Sequence, residues 1–165
     1  MTESTTRSTW SALIDATPED RVDAMVKAFG AISVLDEEAR VGNCAVLLDQ
    51  EASLDEKNLA VMSADRLRAL ATLDVAAAHR VMSAYEKAEK QQPASVGMRR
   101  VFALQSAAKQ LNLDEISKVE SFMPTVRQMA GLAPARVERP VAAGDLSTPA
   151  PAPRRGLLGK LFSRS

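Results

Sequence analysis

The sequence predicts an all-α protein, a compact multi-helix bundle, on three observations: helical periodicity, caps at the helix starts, and composition. Apolar residues recur at three- and four-residue spacing through residues 17–132, and no alternating run of strand length interrupts them. Capping residues stand where those stripes begin. Hydrophobic residues make up 46% of the chain, mostly Ala, Leu, Val and Met, and aromatics only 4%, a balance that favours helix over sheet. A chain of 165 residues has room for one domain with a core, without disulfide or metal staples, plus a tail.

Residues 1–16 form an N-terminal segment in which Trp10, Leu13 and Ile14 suit one short helical turn packed on the body. The helical domain then spans 17–132. Thr17-Pro18-Glu19-Asp20 combines a capping residue, proline at the first helical position and acids in the first turn, so a helix starts at Pro18. Val22, Met25, Val26 and Phe29 follow on one face, and Gly30 with Ser33 marks where that helix ends or kinks. Asp36, Glu37 and Glu38 open a second run through Ala39, Val46 and Leu47.

A pairing recurs at Leu35-Asp36, Leu54-Asp55, Leu73-Asp74 and Leu113-Asp114. In each, Asp is a good N-cap and the preceding Leu the outer half of a hydrophobic staple. Spacings of 19, 19 and 40 residues raise short solenoid-like helical hairpins as the alternative to a non-repetitive bundle.

After Asp74 the stripe is Val75, Ala78, Met82 and Tyr85, ended by Gln91-Gln92-Pro93. Ser95 caps a helix with stripe Val101, Leu104, Ala108 and Leu111, whose Met98-Arg99-Arg100 reads as a solvated basic face. Asp114 opens a run through Ile116, Val119 and Phe122; Pro124 kinks or restarts it, and Val126 and Met129 precede a stop at Gly131. The expected core is Val22, Met25, Phe29, Leu47, Leu59, Leu67, Leu70, Met82, Tyr85, Val101, Leu104, Leu111, Ile116, Val119 and Phe122.

From 133 to 153 the texture changes. Pro134, Pro140, Pro149, Pro151 and Pro153 stand among small residues with little to bury, which predicts a disordered Pro/Ala-rich linker. Residues 154–165 then read as an amphipathic docking tail: on a short helix Leu157, Leu158, Leu161 and Phe162 share one side, Lys160 and Arg164 the other, and Arg154 and Arg155 lead in. So short a helix is expected to fold only on contact.

The formal charge of zero hides an asymmetry. From Ala133 onward six basic residues face two acids, a net +4, which leaves −4 on residues 1–132. The single Cys44 excludes an internal disulfide framework and, with His79 the only histidine, a tetrahedral zinc site without carboxylate partners. Cys44 sits among Val41, Ala45, Val46 and Leu47 and reads as a small core residue. Glu37, Glu38, Asp55 and Glu56 stand at helix starts, where the macrodipole accounts for them. No glycine-rich phosphate loop is present. The stretch from Ala107 to Val119 resembles a helix-turn-helix in spacing, but Asp114, Glu115 and Glu120 would meet phosphate oxygens, so no nucleic-acid partner is expected.

The functional expectation is a non-enzymatic adaptor or scaffold, with no catalytic residue, cofactor or metal. Its helical domain binds a protein partner or larger assembly, or self-associates as a homo-oligomer, and its tail docks it on an anionic membrane surface. One alternative makes the tail a docking or cargo peptide read by a protein assembly. Another, from a different class, is an enzyme or ligand-binding helical domain without a recognisable motif. The N-terminus lacks the apolar stretch of a secretory signal, so the expected location is cytoplasmic, peripheral at the inner face of the membrane.

Overall fold

Six N-caps stand 19 residues apart: Thr17, Asp36, Asp55, Asp74, Pro93 and Asn112. The computed structural model describes residues 10–133, all helix and connection with no strand among them. A 3-10 turn over Trp10–Asp15 leads into α1 (Pro18–Ser33), α2 (Glu37–Glu51), α3 (Glu56–Leu70), α4 (Val75–Glu89), α5 (Ala94–Ala108), α6 (Leu113–Glu120) and α7 (Val126–Met129). Helices α2 to α5 are each 15 residues long, so each runs about 22 Å.

The caps are local chemistry. Asp36, Asp55 and Asp74 accept from the backbone N–H three residues on, at 2.8, 2.7 and 2.8 Å. Thr17 does the same for Asp20 N–H at 3.2 Å. Each contact satisfies one of the donors a helix start leaves open.

Two helix starts differ from the sequence expectation. Pro93, not Ser95, is the N-cap of α5, and it offers no side-chain acceptor. Asn112, not Asp114, caps α6: its side chain accepts from Glu115 N–H at 2.9 Å while Glu115 reaches back to Asn112 N–H at 2.8 Å. The reciprocal pair satisfies two donors and outcompetes Asp114, which lies inside the first turn. With these corrections the spacing of 40 becomes two steps of 19. Helix α1 passes straight through Gly30, and Pro124 separates α6 from α7. Gly131, at φ +76°, lies past the end of α7 in the left-handed conformation that glycine tolerates.

Alternate helices pack together: α1 on α3, α3 on α5, and α2 on α4, with α1 also meeting α4. The core runs through Met25 and Phe29 of α1, Met62, Leu67 and Leu70 of α3, and Val81 and Tyr85 of α4. Trp10 stacks obliquely on Phe29 at 5.5 Å, and Phe29 meets Tyr85 edge-on at 6.1 Å, both within the range of favourable aromatic pairs. Val22, Leu47, Met82 and Leu104 are half-buried against this core. Val101 is not in it: it is exposed, and Arg100 is buried instead.

Candidate interaction face

The reversal at α5 traces to Glu51, the last residue of α2, which is fully buried. Its carboxylate accepts from Arg66 Nη1 at 3.0 and 2.9 Å, from Arg100 Nη1 at 2.6 Å and from Trp10 Nε1 at 2.9 Å. Burial opposes ionisation of Glu51, but Arg66 and Arg100 outweigh it and hold the carboxyl below its ordinary range. Arg66 also donates to Ser63 Oγ, and both guanidiniums lie over the Tyr85 ring, at 5.0 and 5.6 Å. Burial and the neighbouring Arg66 push Arg100 down, although Glu51 opposes the shift.

A second network, buried at Arg21 and Asp65 and half-buried at Arg68 and Glu115, ties α1, α3 and α6 together. Arg21 Nε meets Asp65 at 2.5 Å, Asp65 also accepts from Arg68 at 2.7 Å, and Arg68 reaches Glu115 at 2.9 Å. Arg21 further donates to the carbonyls of Leu13, Ile14 and Ala16, fixing the 3-10 turn to α1. In both networks the buried charges meet an opposite charge within the fold, although Arg100 Nε has no hydrogen bond and lies 3.6 Å from Glu89, so they act first to set helix orientation.

Drawing Arg100 inward turns the opposite side of α5 to the surface. Ala103 and Ala107, three and seven residues on, share the buried face with Arg100. Met98, Val101 and Phe102 project the other way and are 63, 44 and 61% exposed. Beside Phe102 lies a cavity of about 310 Å³ walled by Glu56, Leu59, Arg99, Ala103 and Ser106. Arg99 lends only its flank, since its guanidinium donates to the carbonyls of Ala52 and Leu54 and so ties α5 to the α2–α3 connection. The result is a protruding aromatic next to a hollow, on a helix face that no other described element covers.

The sequence stripe Met98, Val101, Phe102 was itself the available signal, at i, i+3 and i+4; only its direction depended on contacts distant in sequence. The docking-tail residues Arg154, Arg155, Leu157, Leu158, Lys160, Leu161, Phe162 and Arg164 lie outside the described residues, as does the linker after Ala133. Cys44 is buried on α2, and burial pushes its thiol up to about 12, which leaves it without thiolate at neutral pH. His79 is exposed on α4. Among the described residues no three His, Cys, Asp or Glu side chains converge as a metal site requires, and no helix is long and apolar enough to cross a membrane. Comparison with known proteins gave no matching family, no matching curated protein and no matching solved structure.

Proposed function

We propose that this chain is a non-enzymatic adaptor: α5 offers Met98, Val101 and Phe102 to a protein partner, and the C-terminal segment docks the molecule on a membrane face. The observation that carries the reading is the outward apolar face of α5. Large apolar side chains gathered on one exposed face mark interaction surfaces far more than scattered ones do. An aromatic anchor beside a hollow is the arrangement in which binding energy concentrates.

The tail contributes from the sequence side. Leu157, Leu158, Leu161 and Phe162 supply apolar burial, while Arg154, Arg155, Lys160 and Arg164 add orientation and about 1 kcal/mol each near anionic lipid. Ordering about ten residues opposes this at ~1 kcal/mol or more apiece, so a single tail binds weakly and an assembly presenting several binds well.

A photo-reactive residue at Gln105, one turn beyond Val101 on α5, tests the body. It should cross-link a discrete partner in the wild type, and Met98→Ser with Phe102→Ser should abolish that product. An unchanged cross-linking pattern would remove α5 from the reading. Vesicle sedimentation tests the tail: Leu161→Ser with Phe162→Ser should abolish binding to anionic lipid, and Lys160→Gln should weaken it, most at low salt. A wild type that ignores lipid altogether leaves the tail as a peptide read by a protein.

A further inference from the structure

We propose that the groove between α2 and α4 binds the phosphate group of a small soluble ligand. The groove has a volume of about 330 Å³ and is lined by Glu37 and Arg40 of α2 and by His79, Arg80, Ser83 and Lys87 of α4. Its two arginines are held in place by the end of α1. Arg80 Nε donates to the carbonyl of Ser33, the last residue of α1, at 3.0 Å, and Arg40 Nη1 donates to the carbonyl of Leu35 just beyond it. Carbonyls at a helix C-terminus carry partial negative charge, so they are good anchors for a guanidinium.

Each anchor uses one edge of a planar fork that has five N–H donors. The other N–H groups of both arginines have no protein partner among the described residues, and Arg40 Nε is buried without one. Unused, pre-positioned guanidinium donors are what recognition of an oxyanion needs, because the fork matches two phosphate oxygens at once. Ser83 adds a hydroxyl and His79 a ring nitrogen to the same lining.

Charge points the same way. Glu37 is the one acid lining the groove, and it is already paired with Lys87 at 2.5 Å; that contact and the Lys87 charge lower its carboxyl pKa. The groove is therefore net positive on a body whose residues 1–132 sum to −4. A volume of this size exceeds a bare phosphate several-fold, so the phosphate would be the head of a larger small molecule. The site lies on α2 and α4 and does not depend on the α5 face.

The test is titration of the full-length chain with inorganic phosphate and with pyrophosphate, followed by thermal shift in every variant and by NMR of the His79 ring where that residue is kept, against chloride at matched ionic strength. A saturable response to phosphate with none to chloride is expected. Arg80→Gln should weaken binding about tenfold. Because that change also removes the Ser33 anchor, His79→Gln with Ser83→Ala is the second variant: it leaves both anchors intact and should weaken binding several-fold with no change in melting temperature. Lys109→Gln, exposed at the end of α5, should bind as the wild type does. Equal responses to phosphate and chloride, or wild-type affinity in both groove variants, would overturn the proposal. So would binding to phosphatidate vesicles by the Leu161→Ser, Phe162→Ser chain without any response to soluble phosphate, since the headgroup of a lipid would then be the ligand.

Discussion

Arg100 Nη1 donates to Glu51 Oε2 at 2.6 Å across the α2–α5 gap, with both side chains buried, and this pair fixes which way α5 faces. Without a carboxylate to meet, a guanidinium would not be drawn inside; its desolvation costs several kcal/mol. Apolar burial alone would then favour turning Val101 and Phe102 inward. The polar pair thus decides the orientation, and the exposed apolar face follows from it.

Glu51→Gln tests the role of the charge with little change in volume. Glutamine keeps one acceptor for Trp10 Nε1 but leaves the buried guanidinium of Arg66 without its counter-charge and Arg100 with only Glu89, 3.6 Å away. Breaking a buried pair in this way costs about 3–5 kcal/mol. Urea unfolding should show that loss in the midpoint; a change below about 1 kcal/mol would mean that water or rearrangement compensates.

The same residue contributes to the acid limb. The folded-state pKa of Glu51 lies below the ordinary 4.5, so the unfolded chain takes up the proton more readily than the folded one. The stabilisation is complete above about pH 4.5 and is lost as pH falls through the lower folded value. Stability measured from pH 7 to pH 3 should fall more steeply in the wild type than in Glu51→Gln, and parallel curves would assign the acid sensitivity elsewhere.

The helix starts were legible in the sequence because capping is local chemistry. Thr17, Asp36, Asp55 and Asp74 can be read from four consecutive residues, and the structure uses all four as caps. The error at α6 arose where two good caps stand two residues apart, and it was settled by the reciprocal bond from Glu115. The rotation of α5 was not legible, because it depends on Glu51, 49 residues away. A stripe reader places large apolar residues inside, whereas here the inner face holds Ala103, Ala107 and a paired arginine. The α2–α4 groove was hidden for the same reason: Arg40 and Arg80 are brought together only by tertiary packing.

The two candidate caps of α6 can be separated by mutation. Asn112→Ala removes the acceptor of the Glu115 N–H and should cost about 1 kcal/mol. Asp114→Ala removes only a charge from the first turn and should cost a few tenths at most. Thermal unfolding of the two variants side by side checks the order, and a larger loss at Asp114 would reverse the assignment.

Cys44 should be silent to thiol reagents in the native state. Its pKa of about 12, raised by burial, leaves a negligible thiolate fraction at pH 8, and the side chain is fully enclosed. An aromatic disulfide reagent should therefore label it only as fast as the protein opens, with the rate rising in sub-denaturing urea. Immediate stoichiometric labelling in buffer would contradict the burial.

Phe102 and Phe29 make the sharpest contrast between a surface aromatic and a core one. Phe29 is wholly buried between Trp10 and Tyr85, so Phe29→Ala removes its transfer energy and leaves a cavity, a loss of about 3–5 kcal/mol. Phe102 is 61% exposed, and Phe102→Ser should shift stability by no more than about 0.5 kcal/mol. Both variants are measured by urea unfolding of the isolated protein, where the partner proposed for α5 is absent. A loss of more than 2 kcal/mol at Phe102 would mean that the residue packs within its own domain, and the outward face of α5 would no longer be open to a partner.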